Sequence, residues 1–577
     1  MRHPKEEVQK GAAAALFAFT RSYFPVGKEG PSDRLQARVV DKYINDSLND
    51  VNPAITRGST LGLGQLPRKL VACKKSVLDK VINCLIHMSC RNHRVGKEGD
   101  AETRRNAINS LVQICVDVGV RERGVRHDKF PSVCVDKGQL SSIFRALFAA
   151  TDDYCIDRRG DVGSWCRMAA IEGLQKVTFH AVDSSYAIPK TLVAEKSAGS
   201  SCAIMPKFGS SSCFFEKNAQ DRAKSLLACK TDSGFDKSFD MKIDTFFDEN
   251  ICKRIICLLL KQLCEKLDVV RSKAGLVLEN LLCSTSPRIP HIPFRSSLMD
   301  ALGLIDVSPS ISHKLFYKKN SGINWANPAL TYPLVTNVVS IPVYFDCIIS
   351  GLVISVGGIT ESVVKNSSAA LLSWTKLLQN SAKVKLWNML LSLFIDHHKD
   401  ERVILPLLKT MDLLMTHRCF DFLHEKRNAV YTRDLVTLLD EEAVRCSDVK
   451  RLFAIIDILL IMISTCDVQT SQMTVIPVVL KFLCHRYPRI RRFCAENFYA
   501  KLQEVDWDEK AGLISDILLT VTWDTNAATE LEKSIARIAS IINVAIPKQR
   551  IYLATTQKRE KRNEFDCYSS LVKEAGR

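Results

Sequence analysis

Repeatedly in this 577-residue chain an arginine is followed three residues later by an alanine and, four residues after that, by a large side chain. Such sets include Arg104, Ala107, Leu111; Arg167, Ala170, Leu174; Arg271, Ala274, Leu278; and Arg492, Ala495, Tyr499. Steps of three and four residues put the small and the large residue on one helical face, and the arginine reaches toward an adjacent turn. A carboxylate stands upstream in three sets, at Asp100, Asp161 and Asp268. A helix with this face needs other helices against it. The stretch Asp152–Val177 shows the pattern most fully. It opens as a charged turn, places Asp161 where a helix N-cap belongs, and continues with Val162, Trp165, Cys166, Ala169, Gly173 and Val177 on one stripe, which predicts their burial.

The rest of the chain reads as more helices. Spans are predicted at 5–21, 32–48, 53–66, 76–90, 101–118, 139–150, 250–282, 345–379, 384–396, 405–415, 430–440, 449–464, 475–486, 489–503, 512–522 and 529–543. No run combines sustained apolar alternation with hairpin turns, so no sheet is expected. The fold class that follows is all-α: a HEAT/armadillo-type helical-repeat solenoid with a flexible insertion and a C-terminal helical domain. Expected boundaries are 1–190 for HEAT-like repeats, 191–245 for a low-complexity insertion, 246–545 for the C-terminal helical domain and 546–577 for a basic tail. The insertion loses hydrophobic periodicity between Glu195 and Phe239 and is rich in Ser, Gly and Lys. Prolines punctuate the chain from Ser286 to Pro342 and predict an extended connector there.

Composition narrows the functional classes. Hydrophobic residues make up 46% of the chain and aromatics only 7%, so the apolar mass is mostly aliphatic and suits helix-on-helix packing. The net charge of +17 favours an acidic partner. The 21 cysteines include many inside apolar helices, such as Cys84, Cys115 and Cys257, and no Cys-x-x-Cys pair. That pattern reads as buried free thiols in a reducing compartment. The charged start, Met1 to Glu7, does not read as a secretion signal. The longest apolar runs, 347–359 and 452–463, are shorter than the ~20 residues of a membrane span.

Catalytic templates are missing: no phosphate loop, no His-Glu-x-x-His and no Gly-x-Ser-x-Gly. Leu61-Gly62-Leu63-Gly64-Gln65-Leu66 reads as close helix packing rather than a dinucleotide loop. His397-His398, flanked by Asp396 and Asp400, reads as a polar inter-helix turn; His417 and His424 could share a helix face as a surface pair. No metal and no cofactor is expected. The basic end, 557–562, reads as a solvated charge run without the aromatic interleaving of a nucleic-acid surface. Arg158-Arg159 has three readings: pairing with Asp152, Asp153 or Asp157; contact with an acidic partner; or a finger supplied to another protein's nucleotide hydrolysis.

The charged turn and its helix, Asp152-Asp153-Tyr154 and then Asp157-Arg158-Arg159-Gly160-Asp161-Val162-Gly163-Ser164-Trp165 with Arg167, Ala169 and Ala170, resemble a segment of the tubulin-folding cofactor D family. Asn52–Pro67 upstream is similar in the same way, and so, in order, are Pro290-His291-Ile292-Pro293, Trp325-Ala326 with Pro328, Tyr332-Pro333, Tyr344 and Ser350–Ser362. The similarity runs from about residue 5 to 500, interrupted by 195–239, and corresponds to the family's C-terminal half. The resemblance implies a non-enzymatic HEAT-repeat chaperone that is cytoplasmic and cytoskeleton-associated. It would bind β-tubulin, act in assembly and disassembly of the α/β-tubulin heterodimer, meet α-tubulin through cofactors E and C, and engage an Arf-like small GTPase. Within that complex it would contribute to stimulating tubulin GTP hydrolysis. A generic HEAT scaffold for another acidic partner is the alternative. Asp157, Arg158, Arg159, Gly160, Asp161 and Arg167 are the candidate partner-binding residues.

Overall fold

The computed structural model describes residues 1–23, 33–49, 52–90, 100–120, 133–185, 247–304, 321–444, 446–507, 509–524 and 528–545. The expected insertion at 191–245 and basic tail at 546–577 therefore lie outside the described residues. The chain divides into two compact units, Met1–Gly351 and Leu352–Arg577.

In the first unit the long helices are α1 (Glu6–Tyr23), α2 (Asp33–Asn49), α3 (Pro53–Leu63), α4 (Lys75–Ser89), α5 (Ala101–Val118), α6 (Lys137–Thr151), α7 (Gly163–Ser185), α8 (Glu249–Leu263) and α9 (Asp268–Cys283). Consecutive helices pair as α2/α3, α4/α5, α6/α7 and α8/α9. The second members stack in one row, α3 on α5 on α7 on α9, and the first members in another, α2 on α4 on α6 on α8. Two rows of alternating helices are the packing of a HEAT-type stack. The shared core is aliphatic, with Leu63, Leu111, Leu147, Leu174, Leu259 and Leu278 fully buried. Small residues permit the spacing: a Cβ on Gly64 would sit 2.5 Å from Ser110 Oγ, and one on Gly173 would sit 2.6 Å from Val112. Gly64 thus serves helix packing, as its sequence context predicts.

The repeated arginines are clamps between repeats. Arg57 Nε reaches Asp100 at 3.0 Å in the next pair. Arg104 grips Asp153 with two bonds of 2.7 and 3.2 Å. Arg167 donates to the Asp153 carbonyl at 2.7 Å and lies 3.9 Å from Glu265. Arg271 donates to the Glu265 carbonyl at 2.9 Å and to the Trp325 carbonyl at 3.2 Å. Each guanidinium has several donors in a rigid fork, so it can satisfy its own turn and the following one together. Two of the upstream carboxylates pair with the arginine of their own set, Asp161 with Arg167 and Asp268 with Arg271. Asp100 instead serves Arg57, from the repeat before.

The unit ends with α10 (Arg295–Ala301), α11 (Pro328–Val338) and the start of α12 (Phe345–Val356). The proline-rich region is therefore not only a connector. Pro328 opens a helix, where a missing N–H costs nothing, and Pro333 lies inside it. No single helix among the described residues is long and apolar enough to cross a membrane. The bent pair of α11 and the 342–356 segment passes the length and composition test only when joined across its 118° bend.

The second unit holds α13 (Glu361–Thr375), α14 (Asn380–Asp396), α15 (Glu401–Thr416), α16 (Ala429–Ala443), α17 (Val449–Thr465), α18 (Ile476–Leu483), α19 (Pro488–Leu502), α20 (Glu509–Thr520) and α21 (Ala528–Ile542). Gly357-Gly358 separates α12 from α13, so the predicted 345–379 helix is two. Helices again pair as α14/α15, α16/α17, α18/α19 and α20/α21, with α15, α17 and α19 stacked in a row. Here the arginine pattern is shifted by one residue from the expected set. Arg491, Cys494 and Phe498 are buried, and Arg492 is exposed. Arg491 clamps the His485 carbonyl at 2.8 Å and the Trp523 carbonyl at 2.9 Å. Arg451 does the same work with carboxylates, at 2.8 Å from Glu442 and 3.0 Å from Glu401.

Candidate partner-binding turn

The chain leaves α6 at Thr151 and enters α7 at Gly163 through a hairpin that the sequence reading does not foresee. Ile156–Asp157 pairs antiparallel with Gly160–Asp161, Ile156 opposite Asp161 and Asp157 opposite Gly160. Arg158 and Arg159 form the two-residue loop. Gly160 follows at φ +99°, a conformation that a side chain would strain. This strand pair is too short to alter the all-α class.

Buried contacts fix the base of the hairpin. Asp153 accepts the Cys155 N–H at 3.1 Å and holds Arg104. Although burial opposes its ionisation, the Arg104 guanidinium keeps the Asp153 carboxyl below the usual carboxylate range. Gly163 lies so close to the Asp153 carbonyl that a Cβ would come within 2.3 Å. Ala101, Cys155 and Val162 form a small apolar cluster, and Trp165 packs on it half-buried. Asp161 accepts the Ser164 N–H at 3.0 Å, the capping role expected of it, and pairs with Arg167 at 2.8 Å. Arg167 stacks 4.2 Å over the Tyr154 ring and has no exposed side-chain surface. It braces the turn from beneath and does not share the solvent face of Asp157, Arg158, Arg159 and Gly160.

On that face Arg159 is already engaged. It pairs with Asp157 at 2.6 Å, bonds Glu102, and lies 4.9 Å over the Trp165 ring, with Arg105 5.8 Å from the same ring. The hydrogen bonds from Arg159 hold the Asp157 carboxyl below its ordinary range. Burial works against ionisation of Glu102, yet hydrogen bonds from Asp100 and Arg159 hold it at about 2. Asp100 is pushed up to about 6 by burial and by Glu102 beside it. Of the carboxylates that could have taken either arginine, Asp152 bonds Lys261 at 2.9 Å and Asp153 bonds Arg104. Arg158 forms no ion pair or hydrogen bond with any described residue. Beside it Ile156 is 70% exposed. The turn therefore presents one uncommitted guanidinium and one apolar side chain on a rigid base.

Sequence reasoning misses Glu102 and Arg105, because nothing in their spacing points to the turn. The stripe position of Trp165 predicts a deeper burial than its cation–π setting gives. The histidine candidates disperse. His398 bonds Glu442 at 2.7 Å and His397 lies 3.6 Å from Asp400. His417 caps the end of α15 while His424 lies in a separate short helix, so they share no helix face. No group of three or more His, Cys, Asp or Glu side chains among the described residues is placed to hold a metal.

Residues 253–451 match the family model described as tubulin folding cofactor D C terminal. Tubulin-specific chaperone D of Dictyostelium discoideum is 24% identical over 434 residues, which cover 73% of this chain and 25% of that relative. The match thus spans about a quarter of the relative's length. The hairpin at 156–161 precedes the matched stretch. Among solved structures, importin beta in an ammonium sulfate condition aligns with 94% of this chain and 61% of its own, at 11% identity and a TM-score of 0.26. Karyopherin Kap121p bound to the SUMO protease Ulp1p aligns with 92% and 55%, at 12% identity and a TM-score of 0.22. Scores this low carry no argument, and the architecture rests on the chain's own helix packing.

Proposed function

We propose that this chain is a tubulin-folding cofactor segment that binds β-tubulin and supports assembly and disassembly of the α/β-tubulin heterodimer. The observation that carries the reading is the match to the cofactor D C-terminal model over residues 253–451, reinforced by the chaperone D relative, which aligns with 73% of the chain. The charge of +17 supports it, because tubulin is acidic and long-range attraction speeds encounter with such a surface. Binding is non-enzymatic. α-Tubulin and cofactors E and C are the further partners on this reading, with an Arf-like small GTPase. The setting is the cytoplasm and its microtubule cytoskeleton. Any stimulation of tubulin GTP hydrolysis belongs to the complex with the other cofactors.

The hairpin tip, Asp157 to Asp161, is the proposed contact, with Arg158 donating to a tubulin carboxylate and Arg167 holding the tip in place. Purified α/β-tubulin and the full chain should co-elute on size exclusion, and Arg158→Ala should weaken binding about two- to fivefold, the weight of an exposed ion pair. An unchanged affinity for Arg158→Glu removes the hairpin from the interface. Failure to bind tubulin, with binding to an unrelated acidic protein, points instead to a generic scaffold. Single-turnover GTP hydrolysis in the cofactor complex separates contact from catalysis: Arg158→Ala should leave the rate of the saturated complex unchanged.

A further inference from the structure

Helix α12 lies against the C-terminal half of α8 because Gly351 has no side chain. A Cβ there would be 2.8 Å from Cys264 Cβ and 2.9 Å from the Lys261 carbonyl. One turn back along each helix stand Cys347 and Cys257. Cys347 Sγ lies 3.1 Å from the Tyr344 carbonyl, and Cys257 Sγ 4.0 Å from the carbonyl of the adjoining Val343, so both sulfurs face the same short turn. Both are partly exposed.

We propose that Cys257 and Cys347 form a peroxide-oxidisable dithiol, a modification site that closes to a disulfide between α8 and α12. The Cys257 thiolate attacks one oxygen of hydrogen peroxide. The O–O bond breaks, hydroxide leaves and takes up a proton as water, and Cys257 becomes a sulfenic acid. The Cys347 sulfur then attacks the sulfenic sulfur, the S–O bond breaks, and a second water leaves with the Cys347 proton. In sum two thiols and one peroxide give one disulfide and two waters.

The thiol chemistry agrees with this geometry. Burial pushes Cys84, Cys115, Cys166 and Cys252 up to about 12. Cys257 moves the other way. A hydrogen bond from Cys347 favours its thiolate and outweighs burial, Lys253 one turn earlier adds to the effect, and Asp346 opposes it. Cys347 is correspondingly raised by the same bond and by burial. One sulfur is prepared as nucleophile and the other as the proton-bearing partner that resolves it.

The test treats the reduced full chain with graded hydrogen peroxide and maps linked peptides by mass spectrometry without reduction. The exposed thiols Cys73 and Cys90 serve as internal references. The Cys257–Cys347 linkage should form first, on the order of tenfold faster than the reference thiols oxidise, because the Cys257 thiolate is favoured and its resolving sulfur adjoins it. In Cys347→Ser, Cys257 should instead accumulate a dimedone-reactive sulfenic acid. In Cys257→Ser neither product should form. Oxidation of Cys257 no faster than Cys73 and Cys90 overturns the proposal, and so does oxidation of Cys257 in the native chain without a bond to Cys347. Circular dichroism of each serine variant confirms that the helices compared are folded.

Discussion

At the scale of single residues, the buried arginines divide sharply from the exposed ones. Arg104 has 1% of its side chain exposed and its carboxylate partner Asp153 has 7%. Removing one member of such a pair leaves an unpaired buried charge, so Arg104→Ala should cost ~3–5 kcal/mol in chemical denaturation. Arg158→Ala should change the same midpoint by no more than about 0.5 kcal/mol, since it breaks nothing in the fold. Trp165→Ala falls between, at ~1–3 kcal/mol, because the ring is only partly buried on its apolar cluster. A second residue-scale prediction concerns Asp457. Burial, and then the charge of Asp412, push its carboxyl up to about 6. Because the folded value lies above the unfolded one, the folded state holds more protons between about pH 4 and 6, and stability falls as pH rises through that window. Asp457→Asn removes the penalty. The variant should be more stable than the native chain at pH 7.5, by about 1 kcal/mol after allowing for solvent screening, and equal to it near pH 4. A constant difference across that range would refute the assignment.

Elements show which local signals survive folding. Helix spans from three- and four-residue periodicity agree with α5 at both ends, Ala101 and Val118, and with most other long helices to within a few residues. The failures have physical causes. The helices expected over 250–282 are α8 and α9, which part where the chain turns at Cys264–Leu267 while its apolar pattern continues on both sides. The Arg158-Arg159 hairpin escapes notice because two residues a side cannot show alternation. Its geometry depends on neighbours instead: Gly163 fits beneath the Asp153 carbonyl, and Asp161 is held by Arg167. Gly163→Ala should therefore lower the melting temperature and weaken tubulin binding together, whereas Arg158→Ala should affect binding alone. Calorimetry on both variants distinguishes the two behaviours.

At the scale of the whole molecule, the balance of +17 should make association with an acidic partner salt-dependent. Affinity for tubulin is expected to fall as ionic strength rises from about 50 to 300 mM, mainly through a slower on-rate. An association rate indifferent to salt would mean that the charge is spread over solvated surface without a role in encounter. The fold class and the recurrence of arginine, small residue and large residue were legible in the residues themselves, since both are helical spacings that any water-soluble stack must bury. So was the turn at 157–161 as a place of concentrated charge. The sequence could not tell which charges remain available. Arg158, Arg159 and Arg167 are the same chemistry in one short segment, yet one is unpaired among the described residues, one is stacked on Trp165 and tied to Glu102, and one is enclosed. Likewise the fourth arginine set is Arg491 rather than Arg492, a one-residue shift that rotates the side chain about 100° around the helix and out of the clamp. Periodicity establishes that a helix has a buried face. Only the tertiary structure decides the arginines, because each clamp also needs a partner from a turn distant in the chain, as Asp153 is for Arg104, 49 residues apart, and no local pattern records those distances.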